Sequence, residues 1–353
     1  MLLEQLETPA LILDLDSFDV NMQIMKSFME SSGLALRPHY KSHKCPAIAQ
    51  RQIAAGAKGI TCAKLSEAED IIFAGIEDVL IANQIVEKEK LARLAYLAGC
   101  CKLAICVDRV ENIRDLEKAA AVQGNKIHCF VEYEIGMNRC GVDSPEDFFT
   151  LAREIESSPH LIFEGIQAYA GHLSHEADYE IRKNASEQVE KRLTELIAYV
   201  ESRGIKIEEV SGGSTGTVEF RGRDSVYTEI QAGSYIFMDA AYNTLGLKFQ
   251  NALYVASTVM SVTKNRIVVD AGRKSVSVDQ EMPVFKDFPE LPVTVSEEHS
   301  AITSSSLAAA VGDRLLLIPG HCCTTINLHD HLFLLRKDKV IDRIEIMGRG
   351  KSI

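Results

Sequence analysis

The feature that most constrains this chain is a repeating alternation of short apolar runs with longer amphipathic segments. The apolar runs are residues 10–16 (ALILDLD), 34–40 (LALRPHY), 58–63 (KGITCA), 78–83 (DVLIAN), 102–107 (KLAICV), 126–132 (KIHCFVE), 163–169 (FEGIQAY) and 207–212 (IEEVSG). Between them, helices are predicted over 17–32, 46–56, 65–74, 85–98, 109–123, 145–157 and 177–203. Pro46 suits a first helical turn, Ser66 with Glu69 reads as a capping box, and Gly56, Gly75 and Gly124 fall where helices should stop. Eight strands separated by helices predict an α/β fold, a (β/α)8 TIM barrel, with a doubly wound open sheet as the rival.

The rhythm changes near residue 235. Runs 252–262, 266–272, 314–320, 331–337 and 340–348 are β-rich, with only a short helical stretch near 301–310. A second, all-β domain is expected from about 235–245 onward. The formal net charge of −12 and the lack of a basic tract argue against a nucleic-acid partner. The start, MLLEQLETPALILDLD, carries acids and no positive leader, and no run approaches the roughly 18 apolar residues of a membrane span. Nine scattered cysteines, several in apolar runs, suggest reduced thiols and a cytoplasmic location.

In a barrel, the C-terminal strand ends face the active site. His39 and Lys41 end the second strand, and other ends supply Cys62, Asn83, Asp108, Glu132, Gln167, Tyr169 and Ser211. A lysine at such a mouth can form a Schiff base; the ordinary alternative is a loop lysine at a helix start. After the eighth run comes VSGGSTGTVEF, where Gly212, Gly213, Ser214, Thr215 and Gly216 can offer N–H groups and hydroxyls to a phosphate. A flexible turn is the alternative. Lysine and cradle together point to pyridoxal 5'-phosphate, with His39 and Tyr169 as ring contacts. A third cluster, PGHCCTTINLHDH, places His321 and Cys323 two apart, on one side of a strand-like segment. Imidazole with thiolate suits zinc better than manganese and leaves coordination positions open, with buried polar packing as the alternative.

At these clusters the chain resembles the D-threonine aldolase and D-serine dehydratase family of metal-assisted, fold-type III pyridoxal-phosphate enzymes. The resemblance runs nearly end to end through LETPALILDLD, RPHYKSHK, ITCAKLSEAE, GIQAY, SGGSTG, EIQAGSYIFMDA, VVDAGRKSVSVD, SEEH and PGHCCTTINLHD. It implies an alanine-racemase-type barrel over 8–235 and a β domain over 236–353 plus 1–7. It places the Schiff-base lysine on Lys41 and the phosphate loop on Gly212–Gly216 beside Ser211 and Tyr235. By the same resemblance, Arg139, Gln167 and Tyr169 are expected to line the same pocket, and His321 and Cys323 to be the ligands of one divalent ion, zinc or manganese. It also implies a homodimer acting on a small D-amino acid.

Within the family the aldolases on D-threonine and 3-hydroxy-D-aspartate look most similar, which implies cleavage to glycine and an aldehyde. Those aldolases typically carry aspartate where this chain has Cys323, and a His-x-Cys pair resembles the zinc-dependent dehydratases of D-serine and 3-hydroxyaspartate. Dehydration is therefore the alternative. His172, His175 and His299 are the candidate bases, with His175 and His299 carried forward as catalytic. A non-catalytic cofactor carrier, which lacks a second domain and a metal cluster, and a metal-free racemase are the remaining rivals.

Overall fold

The structure, a computed structural model, describes residues 1–303 and 309–353 and divides into two compact units. One comprises Lys26–Lys41, Ile48–Gly233 and Lys351–Ile353; the other comprises Met1–Met25, Ser42–Ala47 and Ser234–Gly350.

The first is built on an eight-stranded parallel sheet. Its strands run in the order Ala35–Leu36, Glu229–Ile230, Glu209–Gly212, Leu161–Ala168, Ile127–Glu132, Lys102–Val107, Asp78–Ile81 and Ile60–Cys62. The two ends of this path meet through one isolated bridge, His39 with Thr61, so the barrel is partly open at that seam. Central strands are buried along almost their whole length, as expected where helices cover the outer face and side chains fill the interior. Helices at Leu65–Phe73, Lys88–Leu97, Val110–Gln123, Pro145–Glu156 and Tyr179–Glu201 supply the crossovers. Ser144 and Asp178 cap the last two through bonds to Asp147 N and Ile181 N, and Gly124 ends its helix at φ +67°.

Two sequence expectations about this barrel need correction. The apolar run at 10–16 is not a barrel strand. Ala10–Asp14 lies inside the other unit's sheet, antiparallel to Leu253–Thr263 and parallel to His331–Arg336. The unbroken apolar stretch 10–13 says that both faces are buried but not in which sheet. The missing barrel strand is Glu229–Ile230, two residues long and half charged, with Thr228 and Gln231 on either side, so it does not register as an apolar run. Nor do Ser66 and Glu69 form a capping box: Ser66 Oγ donates to Ile353 O at 2.7 Å, and Glu69 pairs with Arg93. The carboxylate that serves this helix end is Glu67, accepting from Ala63 N at 2.8 Å.

The second unit is a nine-stranded sheet. Its main path runs Val293–Val295, Ser300–Thr303, Arg266–Val269, Leu253–Thr263, Ala10–Asp14, His331–Arg336 and Lys339–Glu345, with Arg314–Ile318 and Val284–Phe285 branching from Leu253–Thr263. Leu6, Ala10, Ile12, Tyr254, Ala256, Ile318 and Leu335 pack one core under it. Each fully buried large aliphatic side chain there contributes about 1.5–3 kcal/mol. Of the short helix expected near 301–310, residues 301–303 are strand, and 304–308 lie outside the described residues.

Candidate functional site

In the barrel unit a cleft of about 510 Å³, open to solvent, lies at the C-terminal strand ends. It brings together His39, Lys41, Asn83, Arg139, Gln167 and Tyr169 from the sequence expectations, and adds Gln231 and the small side chains of Ala63 and Ala82. Lys41 sits in a single 3-10 turn, Tyr40–Ser42, close behind the strand Ala35–Leu36. Its backbone N–H donates to His39 Nδ1 at 3.4 Å, which turns the lysine out of the strand direction. Lys41 Nζ lies 5.5 Å from the centroid of the Tyr169 ring, and the Arg139 guanidinium lies 5.6 Å from the same centroid. One phenol thus holds two cations at the cleft by its ring face. Glu132 balances Arg139 at 3.6 Å and accepts from Gln84 Nε2 at 2.6 Å. Burial keeps the Glu132 carboxyl above its usual range in spite of both partners.

Below the cleft runs a directed hydrogen-bond chain. Gln231 Nε2 donates to Gln167 Oε1 and to Ser211 Oγ, both at 2.7 Å. Ser211 Oγ donates to Glu229 Oε1 at 2.6 Å, and Arg37 Nε donates to the same oxygen at 2.8 Å. Ser211 is fully buried in this chain and is a support under the cleft rather than part of its lining. Gln231 and Glu229 escaped sequence reasoning, although both stand in or beside the EIQAGSY stretch that carried the resemblance.

The glycine loop leaves the strand Glu209–Gly212 and enters a 3-10 turn, Thr215–Phe220. Gly213 has φ +67°, a conformation that favours glycine. Gly212 and Gly216 are set by close packing: a Cβ there would lie 1.9 Å from Ala168 O and 2.1 Å from Ser174 O. Ser214 caps the turn, with Ser214 N donating to Thr217 Oγ1 at 3.2 Å. Ser214, Thr215 and Thr217 are all buried, so the turn gathers hydroxyl groups at a strand end. An amine, a guanidinium, an aromatic ring and a hydroxyl-rich turn on one barrel are the donor set that pyridoxal phosphate requires, and these residues fit it.

His175 is half-buried, one residue past Ser174, whose carbonyl packs on Gly216. His172 is exposed, its ring lying over Gly136. Tyr235 belongs to the other unit, where its hydroxyl meets Met22 Sδ at 3.5 Å and its ring tilts against Phe249. His299, also in that unit, is exposed on the turn between Val293–Val295 and Ser300–Thr303, its carbonyl accepting from Ser296 N at 2.8 Å.

The β unit carries His321 and Cys323, and the segment is not strand-like as expected. His321 is the N-cap of a short helix, Cys322–Ile326, so the pair meets across the start of that helix. His321 Nδ1 lies 2.9 Å from Asp279 Oδ2. Burial lowers the His321 pKa, but Cys323 and Asp279 outweigh it and raise it to about 9. Cys323 Sγ is 3.4 Å from Ser42 Oγ and 3.9 Å from Cys322 Sγ. Cys322 is fully buried, and Cys323 together with burial pushes its thiol well up. Asp239 accepts from Cys322 N at 2.8 Å and from Tyr242 N at 3.0 Å, which anchors the helix start.

Among the described residues no cluster of three or more His, Cys, Asp or Glu forms a metal cage. An imidazole and a sulfur side by side, with a carboxylate on the ring's Nδ1, nonetheless fit an open divalent site with two protein ligands. His329 and Asp330 are engaged elsewhere: His329 Nε2 with Ser275 O at 2.7 Å, and Asp330 with Arg349 at 2.5 Å.

Residues 13–241 match the family model described as alanine racemase, N-terminal domain, and residues 252–335 match that described as putative serine dehydratase domain. The chain is 38% identical to a D-threonine aldolase of Arthrobacter sp over 99% of this chain and 94% of that protein. It is 37% identical to a 3-hydroxy-D-aspartate aldolase of Paracoccus denitrificans over 99% and 93%. Among solved structures, the crystal structure of D-threonine aldolase from Filomicrobium marinum superposes with a TM-score of 0.97 at 38% identity, covering 99% of this chain and 98% of that one. Agreement of this extent over both the lysine cleft and the His321–Cys323 segment leaves one conclusion: the chain is a member of the fold-type III pyridoxal-phosphate lyases, in the family of D-threonine aldolase and 3-hydroxy-D-aspartate aldolase.

Proposed function

We propose that this enzyme cleaves D-3-hydroxy-amino acids such as D-threonine to glycine and an aldehyde, using pyridoxal phosphate held at Lys41 and one divalent ion held by His321 and Cys323. The observation that carries this reading is Lys41 Nζ over the Tyr169 ring in a cleft shared with Arg139 and Gln167. His39, Tyr169, Arg139 and Gln167 would hold the cofactor ring, and Gly212, Gly213, Ser214, Thr215 and Gly216, with Tyr235, its phosphate, while Ser211 supports them from below. When bound, the cofactor supplies an electron sink for charge left on Cα, and the divalent ion supplies a Lewis acid for the substrate hydroxyl.

The chain's own part is positional and protonic. Lys41 Nζ is the amine that anchors the cofactor and then carries a proton at the cleft. Tyr169 orients it, and the Gln167–Gln231 pair, in which each amide donates to the other, is braced by Ser211 and Glu229 and fixes the cleft floor. For the proton on the substrate hydroxyl the proposed acceptors are His175 and His299; half-burial at the loop favours His175.

A second reading, dehydration of D-serine or 3-hydroxy-D-aspartate, is favoured by the sulfur of Cys323 and by the serine dehydratase match over residues 252–335. The sulfur also favours zinc over manganese. A homodimer follows from the family resemblance, and a reducing, cytoplasmic setting from all nine cysteines being free thiols. Among the described residues no helix is long and apolar enough to cross a membrane.

The test is incubation of cofactor-loaded protein with D-threonine and with D-serine, zinc or manganese added, and products identified by mass. Glycine with acetaldehyde supports the aldolase. Ammonia with 2-oxobutanoate or pyruvate supports the dehydratase. Interconversion of L- and D-alanine without metal would overturn both.

A further inference from the structure

We propose that Asp279 is a positioning residue for the divalent ion: its carboxylate fixes the His321 ring so that Nε2, and not Nδ1, is the coordinating atom. This rests on the assignment of His321 and Cys323 as ligands. Neutral imidazole has one donor and one acceptor nitrogen, and whichever is bonded to a carboxylate becomes the donor. In the neutral ring that a divalent ion binds, a bond from Nδ1–H to Asp279 Oδ2, here 2.9 Å, leaves the lone pair on Nε2.

Asp279 is itself clamped. Its Oδ1 accepts from Thr324 Oγ1 at 2.8 Å and from the Ser277 hydroxyl, and Thr324 Oγ1 lies 2.6 Å from Ser277 Oγ. Thr324 follows Cys323 directly, so one carboxylate is bonded to one ligand's ring and to the neighbour of the other. The loop carrying Asp279 is laced to the ligand helix by the main chain as well: Ser277 N donates to Thr325 Oγ1 at 3.1 Å, and Gly320 N donates to Ser277 O at 3.2 Å. The Asp279 side chain is 44% exposed, against 16% for His321. Exposed ion pairs contribute little to stability, so an effect of Asp279 belongs to the ring it orients rather than to the fold.

The experiment compares wild-type holoenzyme with Asp279→Asn and Asp279→Ala by chelator-competition titration with zinc, alongside thermal melts, cofactor absorption and long-range proton–nitrogen NMR of the His321 ring. The expected result is one zinc per wild-type chain, about 10–100-fold weaker zinc binding in Asp279→Ala with a smaller loss in Asp279→Asn, unchanged cofactor absorption, and an Nδ1–H tautomer in the wild type alone. Equal zinc affinity in all three proteins would overturn the role of Asp279 and leave His321 and Cys323 as ligands. A wild type that holds no zinc, with His321→Ala and Cys323→Ser indistinguishable from it, would overturn the metal assignment itself.

Discussion

Arg37 Nε donates to Glu229 Oε1 at 2.8 Å, and Arg37 NH1 reaches Asp78 Oδ1 at 2.5 Å. Arg37 directly follows Ala35–Leu36, and Glu229 stands on Glu229–Ile230, the two shortest strands of the barrel sheet. Two residues pair through few ladder bonds, so the buried charges replace the cohesion that a longer strand would supply. The same Glu229 oxygen receives Ser211, which passes the constraint up to the cleft floor.

Arg37→Met is accordingly expected to destabilise the protein by about 3 kcal/mol, because buried Glu229 loses one of its two cations and keeps only Lys58, at 3.2 Å. Urea unfolding measures this directly. Arg37→Met combined with Glu229→Gln should recover part of the loss, since it removes the stranded charge along with its partner. A double mutant as unstable as the sum of the singles would show the pair to be energetically independent.

In the glycine loop, Gly216→Ala would put a methyl 2.1 Å from Ser174 O, a backbone atom with no rotamer to yield. We expect a cost of about 1–3 kcal/mol in stability and weaker cofactor retention, read from melts and from cofactor loss on dialysis. Gly213→Ala faces only the Ile230 side chain at 3.2 Å but must hold φ +67°, and should cost about 1 kcal/mol. If both variants retained cofactor like the wild type, the loop would be a packing turn and not a phosphate cradle.

Acid sensitivity should trace in part to Glu164. Burial works against ionisation of this carboxylate, but His128 and Lys102, the latter at 2.9 Å, hold its pKa down at about 2. A depressed folded-state pKa contributes stability above the unfolded value of about 4.5, and that contribution is lost as pH falls from there through about 2. Glu164→Gln should therefore unfold more easily at pH 7, by about 1–3 kcal/mol, with the difference shrinking steadily below pH 4.5. Urea midpoints at pH 7, 4 and 3 test it; a constant difference across that range would assign the effect to packing.

How much of this was legible in the sequence differs between the two units. Seven of the eight barrel strands announced themselves as apolar runs, and with them the strand-end positions of His39, Lys41, Gln167 and Tyr169. Glu229–Ile230 did not: Ala35–Leu36 is as short but lies in an apolar run, whereas Ile230 stands between Glu229 and Gln231, and so Gln231 was missed as a cleft residue. At the metal pair the residue types were readable and the geometry was not: alternation assumed a strand, while Asp239 capping at 240 and 322 makes a helix start there. Asp279 lies 42 residues from His321, a separation that spacing arguments cannot bridge, although it ends the VVDAGRKSVSVD stretch.

Cys323 itself carries the last expectation. A nitrogen–sulfur donor pair favours zinc, whereas a nitrogen–oxygen pair accepts manganese more readily. Cys323→Asp exchanges the sulfur, which now donates to Ser42 Oγ at 3.4 Å, for an acceptor-only carboxylate at the helix start, to which the Ser42 hydroxyl can donate in turn. We expect zinc affinity to fall by about 10-fold or more, manganese affinity to rise, and the product ratio from D-threonine to move from 2-oxobutanoate toward glycine if any dehydration accompanies the wild-type reaction. Competition titration with both ions, run beside product analysis, separates the two effects. A changed metal preference with an unchanged product ratio would mean that the ligand selects the ion and not the reaction. The bond that breaks would then be decided at the cleft, by where the proton acceptor stands relative to Lys41.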